Sequence, residues 1–237
     1  MSAEPISYPS AASLAGPIPR WVPRVLVTAR GWLRRVPLTA TYVGTLAAVT
    51  VVMSRLDSDT QLALLRAAST NLDNLGRGDL STLLTSAFVV VDPPSATAWL
   101  LLAGLFGAAE LLWGSWRAAG VFLAGHVGAT LVVAAGLLVA VRQGWAGPEV
   151  ESALDVGVSY GVMALAGAAT ALLPPMVRVV WALGWLAGTS ASVAASGDFT
   201  SVGHLCALAI GLGIAGMAIA RGRTARTADS MLAEKFA

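Results

Sequence analysis

Charge is scarce in this chain: 12% of its 237 residues are Asp, Glu, Lys or Arg, against about 25% in a soluble domain. With 56% of residues hydrophobic, no soluble fold of this size has an interior large enough to hide the apolar surface, so lipid is the expected solvent. Cysteine is almost missing, and the lone Cys206 excludes an internal disulfide. The period-two alternation of short strands that marks a porin-like barrel is missing too. The first thirty residues lack the continuous apolar core and cleavage site of a signal peptide. A net charge of +2 marks no nucleic-acid partner.

What is present is a series of apolar windows. A bilayer core of about 30 Å takes roughly 20 mostly apolar residues as helix, and six windows approach this: 36–53, 96–113, 118–141, 155–173, 176–195 and 200–220. They predict an all-α integral membrane protein with a six-transmembrane-helix bundle over 36–220. Only Gly114–Arg117 separates the second window from the third, and Pro174-Pro175 separates the fourth from the fifth. Links this short make neighbours antiparallel. Residues 1–35, rich in Pro, Ser and Arg, read as a disordered, basic cytoplasmic N-terminal tail with Trp21 and Trp32 as interfacial anchors. Residues 221–237 read as a cytoplasmic C-terminal tail.

The long exception is Ser54–Ser95. It holds an amphipathic piece, Gln61–Ala68, and an apolar stretch, Leu80–Val91, that is too short to span and is predicted as an interfacial or re-entrant helix.

Arginine and lysine set the orientation. With the N-terminus inside, Arg20, Arg24, Arg30, Arg34, Arg35, Arg117, Arg178, Arg221, Arg223, Arg226 and Lys235 fall inside, while only Arg55, Arg66, Arg77 and Arg142 fall outside. The positive-inside rule then puts both termini in the cytoplasm of a cell bounded by the membrane that the chain crosses, the plasma membrane.

Polar groups within hydrocarbon are costly and tend to be functional. Ser159 lies about four residues into the fourth window and His204 about four into the sixth, so both sit roughly 6 Å below the outer surface. Gly157 and Gly161 bracket Ser159, and Gly203, Ala207, Gly211 and Ala215 form a small-residue stripe beside His204. Small stripes let backbones approach closely, as a Ser–His hydrogen bond requires. His126, eight residues into the third window, is expected roughly 10 Å or more deeper and in a structural polar contact. Glu110 and Arg117 flank the inner turn and are expected to pair. Arg178 is expected to snorkel to the inner surface, and Cys206 to pack.

These residues resemble a known family. Gly157-Val-Ser159 followed by Ala164-Leu165-x-Gly167 resembles the fourth transmembrane helix of rhomboid intramembrane serine proteases, and Gly203-His204-x-x-Ala207-x-x-x-Gly211 resembles their sixth. Leu83–Phe88 resembles the lead into their second helix, and Glu110-x-x-x-Gly114-Ser115 the turn after it. The resemblance covers about Val36–Ala220. It implies Ser159 as nucleophile and His204 as general base in the cleavage of transmembrane substrates near the outer face, with Gly157 and Tyr160 beside the site and no metal or organic cofactor. The chain departs from the family pattern in three places. The region of the second-helix His-x-x-x-Asn is here Pro94–Ala98, Tyr160 stands where Gly is usual, and Met163 stands where a Tyr packs on the His. A catalytically inactive protein that binds transmembrane segments as clients is the competing reading.

Overall fold

The computed structural model describes residue 31 and residues 33–235, with side chains through residue 221. The expected tail at 1–30 and the anchors Trp21 and Trp32 lie outside the described residues. The chain divides at Arg35/Val36 into two units. In the first, Gly31 and Leu33 are helical and Arg34-Arg35 form a turn.

The second unit is helical throughout its regular structure. Helix α1 spans Pro37–Met53. A connecting segment follows with α2 (Ser58–Ala68), α3 (Leu72–Gly76) and the single turn α4 (Thr82–Thr85), which runs into a 3₁₀ turn at Ser86–Phe88. Then come α5 (Ala96–Trp113), α6 (Ser115–Arg142), a 3₁₀ turn (Pro148–Ser152), α7 (Ser159–Ala169) with a 3₁₀ extension to Leu172, α8 (Pro175–Ser196) and α9 (Phe199–Lys235). Four helices are long and apolar enough to cross a membrane: α5, α6, α8, and α9 as far as Arg221. Helix α1 and the stretch Ser159–Leu172 are apolar but shorter.

Local chemistry sets the boundaries. Gly114 alone turns α5 into α6 at φ +83°, a conformation that L side chains adopt at a cost. Pro175 opens α8 at its first position, where a missing N–H costs nothing. Asp57 accepts from Thr60 N at 2.9 Å to cap α2, and Asp198 accepts from Ser201 N at 2.7 Å at the start of α9. These caps draw their carboxyls below the usual range: the Thr60 amide and hydroxyl stabilise charged Asp57, and the Ser196 and Ser201 groups stabilise charged Asp198.

The core is an aromatic column. Tyr42 of α1 meets Phe88, Phe106 and Phe122 edge-on at 5.1, 5.6 and 5.1 Å. Phe106 and Phe122 stack at 5.1 Å, and the Tyr42 hydroxyl donates to Ala87 O at 2.6 Å. The column thus joins three helices to the turn after α4. On the other side α7 is pressed between α6 and α9. A Cβ at Gly211 would overlap Ala164 O, and one at Gly203 would overlap the Tyr160 ring. The small-residue stripe is where α9 approaches α7.

Several expectations change. The stretch Leu80–Val91 is one helical turn and a 3₁₀ turn, not a re-entrant helix, because Thr82 and Ser86 turn inward and are fully buried. Helix α7 starts at Ser159 rather than Asp155: residues 153–157 are irregular and held by the connecting segment. Glu110 does not pair with Arg117. Its carboxylate instead accepts from Leu38 N at 2.9 Å, Thr39 N and Thr39 Oγ1 at 2.7 Å each, and Ser115 Oγ at 2.6 Å, which caps the N-terminus of α1. Arg178 also bends inward: Nε donates to Thr170 O and an η nitrogen to Leu173 O, both at 3.0 Å, closing the carbonyl end of the α7 segment. Helix α9 itself runs without a break to Lys235.

Candidate functional site

The segment leading into α7 is where the connecting segment, α6, α7 and α9 meet. Thr70 N donates to Asp155 O at 3.0 Å, Asp155 N to Ser69 Oγ at 2.8 Å, and Gly157 N to Ser86 O at 2.8 Å. Three bonds thus hold the irregular stretch before Ser159. Gly157 has φ +125°, and a Cβ there would meet nothing within 4 Å; its glycine is required by backbone conformation, not by space.

Ser159 is the first residue of α7 and half-buried, and its Oγ has no hydrogen-bond partner among the described residues. The first intrahelical bond of α7 runs from Val162 N to Val158 O at 3.1 Å, which leaves the N–H groups of Ser159, Tyr160 and Gly161 without backbone acceptors at the positive end of the helix. Gly157 cannot add to them, because Ser86 O already takes its N–H.

His204 lies in the second turn of α9, with Nε2 buried and unpartnered. No hydrogen bond joins it to Ser159. The ring against His204 is Tyr160, edge-on at 5.5 Å. The aromatic that the family pattern carries at the position of Met163 is thus replaced in space by one from position 160. Met163 and Cys206 instead pack, partly buried, around Ala129, Tyr160 and Ala207. Tyr160 Oη is buried without a partner and faces the Asp155 carboxyl, which also faces the Thr130 hydroxyl. Burial pushes the Asp155 carboxyl up to about 6, against the pull of those hydroxyls.

His126 is not a level below this site. Its ring lies 6.5 Å from that of Tyr160, because the irregular stretch carries the start of α7 deeper than a helix from Asp155 would. Its partner is Ser86, a residue that depth and spacing did not single out, although it lies inside the Leu83–Phe88 stretch. His126 Nε2 is 3.1 Å from Ser86 Oγ, which is 2.9 Å from Thr70 Oγ1, which is 2.7 Å from Thr82 O. Thr70 has one hydroxyl proton, and the Thr82 carbonyl takes it. Ser86 then donates to Thr70, and His126 donates from Nε2 to Ser86. That arrangement satisfies every donor and leaves only Nδ1 of His126 as a bare buried acceptor. The opposite tautomer would strand a buried N–H, the costlier fault. Ser86, fully buried with its proton committed, is a structural link rather than an exposed nucleophile.

Among the described residues no three His, Cys, Asp or Glu side chains gather as a metal site would require. On the α5 side, Ser95 caps its own helix through Ala98 N at 3.2 Å, and Pro94–Ala98 brings no imidazole or carboxamide toward Ser159.

A family model described as "Rhomboid-like protein" matches residues 31–226. No curated protein and no solved structure matches the chain. The family match covers most of the sequence and includes every element from α1 to the apolar part of α9, and the chain belongs to the rhomboid-like protein family.

Proposed function

We propose that this chain is an intramembrane serine protease that cuts transmembrane segments of other proteins, with Ser159 as nucleophile and His204 as general base. The observation that carries this reading is the pair of unpartnered groups, Ser159 Oγ and buried His204 Nε2, on two helices whose backbones meet further along, at Ala164 and Gly211. His204 takes the hydroxyl proton as Oγ attacks the peptide carbonyl. The oxyanion meets the free N–H groups at the start of α7. The imidazolium returns its proton to the leaving amine, and water then releases the acyl-enzyme. In the same reading α1 and the α7 segment complete six crossings, both termini are cytoplasmic in the plasma membrane, and the site opens toward the outer face.

A specific observation favours a second reading. No side-chain donor from Pro94–Ala98 supports an oxyanion. A chain so built binds transmembrane clients without cutting them. An activated fluorophosphonate probe separates the two. The protease reading expects labelling that Ser159→Ala abolishes and His204→Ala lowers at least about 100-fold. Equal labelling in Ser159→Ala, or none in the wild type, favours the binder.

A further inference from the structure

At the end of the bundle that holds Glu110 and the Pro174-Pro175 turn, a groove of about 350 Å³ opens between α5, α6, the α7 extension and α9. Its walls are apolar: Trp113, Gly120, Ala171, Ile214 and Ala218. Among the described residues its one charged lining residue is Arg117. Glu110, the nearest acid in sequence, is saturated by α1 and Ser115, so among the described residues Arg117 has no carboxylate partner. Arg221, exposed, follows Ala218 by three residues, which keeps it on the same side of α9.

We propose that this groove is a binding site for one anionic phospholipid, with an acyl chain along the apolar wall and the phosphate between Arg117 and Arg221. An unpaired guanidinium at the mouth of an apolar slot matches an amphiphile with a negative head, and basic pockets between membrane helices take such headgroups. The tryptophan at the rim sits where an interfacial ring is favoured.

The test is native mass spectrometry of the purified full chain, offered equal amounts of phosphatidylglycerol and phosphatidylcholine. The wild type is expected to retain phosphatidylglycerol preferentially, by about fivefold for each engaged arginine. Arg117→Gln is expected to lower that preference about fivefold. Gly120→Leu fills the groove where a Cβ meets nothing within 4 Å; it is expected to remove the retained lipid, and Ala218→Leu, at an exposed position, to do the same. Gel filtration confirms that each variant is folded. Equal retention of the two lipids by the wild type overturns the proposal, as does an unchanged preference in Arg117→Gln. Undiminished phosphatidylglycerol retention in both groove-filling variants places the lipid elsewhere and also overturns it.

Discussion

Asp155 is a carboxyl drawn partly out of water, with two hydroxyls facing it and no cation. Its proton is held to about pH 6 in the folded chain and to about 3.9 once unfolded. The sign follows from proton counting. Between these values the folded state binds the extra proton, so this group makes stability fall as pH rises from about 4 to about 6, then level off. Asp155→Asn removes that slope. We expect thermal melts in detergent to show a wild type that loses stability across this window and a variant that does not, with the variant the more stable at pH 7. A variant less stable at pH 7 would mean that the charged carboxylate is favourably bonded. The same small scale explains what was readable around Ser159. Its position between Gly157 and Gly161 and the stripe beside His204 are sequence features, and α7 and α9 do pack along them. The ring on His204 was not readable at position 160, since only packing decides which tyrosine turns toward a histidine.

At the scale of elements, the apolar windows located the long helices because hydrocarbon leaves the backbone no other arrangement. The start of α7 was misplaced by four residues for a physical reason. Hydropathy does not distinguish a helix from an irregular stretch whose N–H and C=O groups are bonded by another segment, here Ser69, Thr70 and Ser86. That segment is held in turn by His126 through Ser86, so the connecting segment adds a second link between α6 and α7, which also pack directly. Ser86→Ala and His126→Ala should each cost about 1–3 kcal/mol, since each leaves a buried polar group without its partner. The double variant should cost less than the sum of the two by about 1 kcal/mol, measured as a double-mutant cycle on unfolding. Strict additivity would mean that the 3.1 Å contact contributes nothing.

For the whole molecule, the uneven arginines are the topological statement. Arg117, Arg178 and Arg221 lie at one end of the bundle with Glu110, and Arg55, Arg66, Arg77 and Arg142 lie at the other. Single cysteines in a Cys206→Ala background test which end is which. Trp145 is 78% exposed in the turn after α6, and Met176 is 82% exposed at the start of α8. Trp145→Cys should react with a membrane-impermeant thiol reagent in intact cells, and Met176→Cys only after the cells are opened. The reverse pattern inverts the orientation and moves the proposed site to the cytoplasmic face.

The tether before α7 also bears on how the chain is made. Asp155 N meets Ser69 Oγ across 86 positions of sequence, and α7 itself has 11 residues, about 16 Å of helix. A piece that short is a poor signal for the insertion machinery on its own. Its bonding partners lie in chain synthesised much earlier, in Ser54–Ser95. We expect the helix carrying Ser159 to depend on that early loop for its place: a nascent chain stalled beyond Pro175 should protect α7 from protease less when Ser69 and Ser86 are both replaced by Ala, and equal protection would overturn the dependence.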